Sequence, residues 1–205
     1  MSTVLERKTK THAICPFLIL GVERNASRLV VEEAYWRLFD GLDEGAFLHS
    51  PQAWVQAAQA QLEVENAYAR IINGEFEEAD EEGVEPFWPK FGQILIAAGK
   101  INIRQLQFAI EEQEVEHRPL GEILLEQGLI NRDELEAVLS TQVTMELPDD
   151  SPYLFGLRLI GLRVVPEDMV CIALIEYCDS GTPVEQTLLE RGWLAAEVLE
   201  AISKK

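Results

Sequence analysis

KFGQILIAAGKINIRQLQFAIEEQ at 90–113 and PLGEILLEQGLINRDELEAVLSTQ at 119–142 are one sentence written twice, with EVEHR between them. Each copy opens with a short apolar run: Phe91, Ile94 and Leu95, then Leu120, Ile123 and Leu124. Spacings of three and four put each set on one helix face. Gly99 and Gly128 fall at the same place, where a helix is expected to end in a left-handed residue. Asn102 with Gln105, and Asn131 with Glu134, then form the reciprocal pattern that caps a new helix. The predicted inner faces of these second helices are Leu106, Ala109 and Ile110, against Leu135, Val138 and Leu139. Gln113 and Gln142 close the two copies. One such helix pair cannot bury its own apolar face, but two facing pairs can share a core.

Further along, the pattern recurs in worn form. PVEQTLLERGWLAAEVLEAI at 183–202 aligns with the second copy without a gap, placing Gly192 at Gly128 and Leu199 at Leu135. FGLRLIGLRVVPEDMVCIALIE at 155–176 aligns with the first copy if one residue is deleted near Gly161. On that alignment Glu185 replaces Gly121 and Glu176 replaces Gln113. A carboxylate at either point would repel an anionic ligand, so this half reads as structural or protein-binding. TMELPDDSP, with two prolines and three acids, separates the two tandems.

Towards the N-terminus the chain also reads as helical. Pro16 to Val22 is an apolar turn, Ser27 a plausible N-cap, and Val31, Tyr35 and Leu38 recur at helical spacing. The loop DGLDEGAFLHSPQ leads to a long helix, WVQAAQAQLEVENAYARIIN, which stops at Asn73-Gly74. The expected organisation is therefore all-α: a helical hairpin at 14–73, a linker at 74–88, a tandem at 89–145 and a degenerate tandem at 153–202.

Charge and composition narrow the function classes. The chain carries a formal charge of −19, and residues 74–88 hold seven acidic groups and no basic one. That run reads as a solvated linker. An acidic chain without a basic stripe is a poor match for duplex nucleic acid or an anionic membrane. No run of 18 apolar residues is present, so no membrane span is expected. Three cysteines, an odd number, suit a reducing compartment, and the chain reads as cytoplasmic. Cys171 and Cys178 are expected to be small core residues on one helix face.

The doubled motif resembles the MshEN-type N-terminal domain of type II secretion and type IV pilus ATPases, a bacterial family. That family has two 24-residue motifs, a five-residue spacer, a basic residue with Leu and Gly at the start, and a closing Gln. Several members bind cyclic di-GMP, each motif embracing half of the dinucleotide. The resemblance implies ligand contacts from Lys90, Phe91, Gly92, Leu106, Ile110 and Gln113 in the first motif. From the second it implies Pro119, Leu120, Gly121, Glu122, Leu135, Leu139 and Gln142, with Arg118 a substitute cation where the family has arginine and this chain has proline. The chemistry suits those residue types. Flat guanine faces rest on Leu and Ile, glycine admits close backbone approach, and glutamine offers both donor and acceptor. Residues 14–73 resemble a J-domain through FLILGV, VEEAYWRL and VENAYARII, but lack its His-Pro-Asp tripeptide. His49 is followed by Ser50-Pro51, so stimulation of an Hsp70 ATPase is not implied.

Enzyme signals are weak. There is no GxxxxGK[ST], GxSxG, HExxH or CxxC, and His12, His49 and His117 are scattered. The expectation is a non-enzymatic signalling protein with no metal or cofactor. The resemblance implies cyclic di-GMP as the ligand and an unidentified protein, such as a part of pilus or secretion machinery, as the partner. The alternative is a ligand-free adaptor.

Overall fold

The computed structural model describes residues 14–76, 89–144 and 151–204, without the side chains of Glu44 and of 142–144. The expected linker beyond Phe76, most of TMELPDDSP, His12 and the side chain of Gln142 therefore lie outside the described residues. Among the described residues every element is helical, none is a strand, and the protein is all-α. No described helix is long and apolar enough to cross a membrane.

Helix α1 spans Pro16–Leu20, α2 Arg28–Gly41 and α3 Pro51–Asn73, with a 3-10 turn at Glu44–Phe47. Ser27 caps α2 by accepting from the Val30 amide at 3.4 Å. Helix α3 starts three residues before Trp54, where the sequence reading began it. Ser50 accepts from the Ala53 amide at 3.3 Å and Pro51 fills the first helical position. Serine followed by proline is itself a helix-start signal. Its buried stripe is Ala53, Ala57, Ala60, Val64 and Ala67, small side chains that let α1 and α2 lie close.

Four helix pairs follow: α4 (Phe91–Ala97) with α5 (Ile103–Glu116), α6 (Leu120–Glu126) with α7 (Arg132–Thr144), α8 (Ser151–Gly161) with α9 (Glu167–Ser180), and α10 (Val184–Glu190) with α11 (Ala196–Ser203). The turn inside each pair passes through a left-handed residue: Gly99, Gly128, Arg163 and Gly192, at φ 66°, 66°, 54° and 67°. Arg163 corrects the alignment of the worn copy. It stands where Gly99 does, so both halves of the second tandem follow the first by the same interval and nothing is deleted near Gly161. In this register Tyr177 replaces Gln113, and Glu176 answers to Glu112. A non-glycine residue in the left-handed region is uncommon, which hid the match.

The first tandem caps itself as expected. Asn102 accepts from the Gln105 amide at 2.9 Å while Gln105 takes the Asn102 amide at 2.8 Å. Asn131 and Glu134 repeat this at 2.9 Å in both directions. The second tandem has Pro166 and Ala195 at these places, with no side-chain cap. Its missing partner comes from α3. Gln56 accepts from the Ala195 amide at 3.0 Å, the bond that Glu134 makes to Asn131 in the first tandem. The same side chain donates to the carbonyls of Val164 and Trp193, both at 2.8 Å.

This clamp sits on a shared core. Phe17, Leu20, Leu38 and Val64 of the hairpin pack in one cluster with Leu157, Leu188, Val198 and Ile202 of the second tandem. Ile94, Leu95, Ala109, Ile123, Leu124 and Val138 of the first tandem form another cluster, which takes in Cys171, Ile172 and Ile175 of α9. Helix α9 thus faces both ways, and every residue from Val170 to Ile175 is buried. A helix apolar on all sides belongs in the middle of a fold. Burial pushes the Cys171 thiol up to about 12. Cys178, expected on the same buried face, is exposed; it lies two turns on, past Ile175, the last α9 residue in the cluster that holds Cys171.

Candidate ligand-binding site

Within the first tandem the pairs are exchanged: α4 packs on α7, and α5 on α6. The two motifs therefore face each other rather than standing in line. Lys100 of the first turn bonds Glu134 of the second motif at 2.7 Å, and Gln127 donates to Glu112 at 2.7 Å.

The motif glycines have a packing cause. A Cβ on Gly92 would stand 2.7 and 2.8 Å from the Leu106 methyls. On Gly121 it would stand 2.7 Å from a Leu135 methyl and 3.7 Å from the ring of Phe91. Each glycine is thus the seat of the leucine from the following helix, and Phe91 reaches across from the first motif to the second. Gly156 repeats this beneath Val170, whose methyl is 2.8 Å from the Cβ position. The sequence reading missed that retained glycine, although FGL and FGQ already matched.

The leucine stripe is not all core. Ala109 and Val138 are buried, Leu106 and Leu135 half-buried, while Ile110 is 39% and Leu139 48% exposed. Expected together on an inner face, these residues divide because the small shared core stops at Ala109 and Val138. What remains is an apolar strip at the surface, the same in both motifs, beside Gly92 and Gly121. Leu120 packs against the core from its half-buried position, and Glu122 stands exposed in the first turn of α6.

The polar members are already engaged. Lys90 donates to Asp168 of α9 at 3.0 Å, and this bond holds its ammonium pKa above the ordinary lysine value. Buried Gln93 donates to the same Asp168 oxygen at 2.8 Å and accepts from the Lys90 amide at 2.7 Å. Arg118 meets Glu126 at 2.7 Å, Glu116 at 3.0 Å and Glu122 at 3.9 Å. The bonds to Glu126 and Glu116 raise its pKa. Gln113 donates to the Arg118 carbonyl at 3.0 Å, fixing the spacer. There His117 takes a left-handed conformation, φ 56°, and ends α5. Pro119 is the N-cap of α6 and makes no side-chain cap bond. Asp168, Gln93 and Glu126 were not foreseen. Gln93 could have been, as the third-position partner of a helix cap.

In the second tandem the pair at the places of Glu112 and Gln127 is ionic. Glu176 bonds Arg191, and Thr187 donates to it at 3.1 Å. Arg191 also lies over the Trp193 ring, 5.0 Å from its centroid. A separate hollow of about 410 Å³, lined in part by Gly21, Asn25, Glu33 and Arg37, belongs to the hairpin rather than to the repeats. Among the described residues no cluster of three His, Cys, Asp or Glu side chains is placed to hold a metal.

No protein-family model matches the chain, no curated protein matches it, and no solved structure matches it.

Proposed function

We propose that residues 90–142 form a cyclic di-GMP site of the MshEN type in a non-enzymatic signalling protein, which relays occupancy to a protein partner. The observation that carries this reading is the exposed apolar strip. Ile110 and Leu139 sit at equivalent positions outside the core, each beside a half-buried leucine seated on a glycine. Covering the part of each side chain still in water is worth roughly 1 kcal/mol, so a flat apolar ligand face has something to gain there. Lys90 and Arg118 supply positive charge at the two motif starts. The second tandem, with Tyr177 in place of Gln113 and Glu185 in place of Gly121, serves as structure and as the route to the hairpin. The hairpin, J-like in layout and without His-Pro-Asp, serves docking.

A second reading is favoured by Phe108 and Val115, 62% and 80% exposed on α5. These residues lie outside the ligand set and suit a ligand-free adaptor that docks another protein. Calorimetric titration of cyclic di-GMP into Ile110→Asp and Leu139→Asp separates the two. The ligand reading expects either substitution to remove binding shown by the parent, because each half of the dinucleotide needs its own cradle. Equal binding by both variants contradicts it.

A further inference from the structure

We infer that Asp168 is an internal competitor for the anionic ligand, so that filling the first tandem is reported to the second through a single carboxylate. The inference rests on the proposed cyclic dinucleotide site and names its regulation. The Lys90 ammonium is the only charge that the first motif brings to its start, and it is held by a residue 78 positions away on α9. Asp168 is well placed to keep it. It lies in the first turn of α9, where the helix dipole favours a carboxylate. One of its oxygens takes both the Lys90 ammonium and the Gln93 amide.

A phosphate oxygen that pairs with Lys90 must share the ammonium with that oxygen and meet the repulsion of its carboxylate. Gln93, buried and tied to the Lys90 backbone, keeps its own bond to Asp168, so the helices stay packed while the charge balance at the start of α9 changes. Helix α9 is the element to bias, since its opposite sides lie in the two core clusters and it reaches the hairpin core directly. Arg118 gives no such report, because Glu116, Glu122 and Glu126 all belong to its own tandem. The Lys90–Asp168 pair is mostly exposed, so its competition is a modest brake rather than a block.

The test is calorimetric titration of cyclic di-GMP into the full chain, into Asp168→Asn and into Glu167→Gln. Asparagine keeps an acceptor for Gln93, and Glu167→Gln removes the same charge from the same turn without touching the Lys90 bond. Asp168→Asn is expected to bind about two- to five-fold more tightly than the parent, and Glu167→Gln to change less. Hydrogen exchange of the first-turn amides of α9 is expected to respond to ligand in the parent and less in Asp168→Asn. A parent that binds while Asp168→Asn gains nothing, or gains no more than Glu167→Gln, overturns the competitor and leaves the site standing. Absence of binding by all three proteins overturns the site and the competitor together.

Discussion

Replacing Gly156 and Gly92 by alanine separates a glycine held by packing from one that, in the proposed site, also serves a ligand. At Gly156 the new Cβ lies 2.8 Å from a methyl of Val170 and 3.5 Å from one of Leu174. Val170 is buried and stiff about χ1, so the helices must part, at about 1–3 kcal/mol. Alanine returns about 0.5–1 kcal/mol through its better helix propensity. The net expectation is a loss of roughly 1–2 kcal/mol. At Gly92 the clash is with the ends of Leu106, a flexible and only half-buried side chain. There the gain and loss nearly cancel, within about 1 kcal/mol, but the displaced leucine lies across the apolar strip. Urea denaturation gives the stabilities, provided that the slope m is unchanged. Calorimetry with cyclic di-GMP gives the affinities. Gly156→Ala should be less stable with parental affinity, and Gly92→Ala nearly as stable with weakened affinity. A Gly156→Ala protein as stable as the parent would refute the packing argument for both positions.

Gln56→Ala removes three hydrogen bonds across the hairpin and the second tandem, and a loss of about 2–4 kcal/mol is expected in urea denaturation. Gln52→Ala, which loses one exposed bond to the Gly192 carbonyl, should cost less than about 1 kcal/mol, and equal effects would contradict the capping role. Gly121→Glu puts into the first tandem the residue found at Glu185, adding a charge where the ligand must approach. Affinity is expected to fall about 30- to 1000-fold with helicity retained by circular dichroism. Cys171, whose thiol is pushed up to about 12, should resist a thiol reagent at mildly alkaline pH while exposed Cys178 reacts. The raised value also means that the unfolded thiol ionises first. Its contribution to stability is therefore complete below the ordinary 9.0 and is lost as pH rises from there towards 12. Labelling of Cys171 at the rate of Cys178 would show that α9 is not held on both sides.

Much of this fold is legible in the sequence because its punctuation is local. Gly99 and Gly128 adopt the left-handed turns that their places demanded, and Asn102 and Asn131 cap the helices they precede. Ser27 and Gly74 bound their helices in the same way. Failures fall where the deciding contact is distant. Ala195 carries no cap of its own, and nothing near it in sequence announces Gln56. Arg163 in a left-handed turn defeats alignment by glycine, since only backbone geometry marks the position. The sharing of one core by the hairpin and the second tandem has its trace in α9, apolar on every side, although that trace does not say what lies on each. Helical periodicity also put Ile110 and Leu139 with the core. The period gives the direction of a side chain and not the width of the core, and that width leaves both at the surface. Asp168 has no signal beyond being an acid in a first helical turn.

The central claim meets its most direct test in one calorimetric titration of cyclic di-GMP into the purified full chain at physiological salt. The account predicts saturable binding of a single dinucleotide per chain, with Kd below about 100 µM, or about 5.5 kcal/mol of binding free energy. Folded protein that gives no binding heat and no change in intrinsic fluorescence at high micromolar ligand would contradict it, and would leave the doubled motif as a core for docking alone.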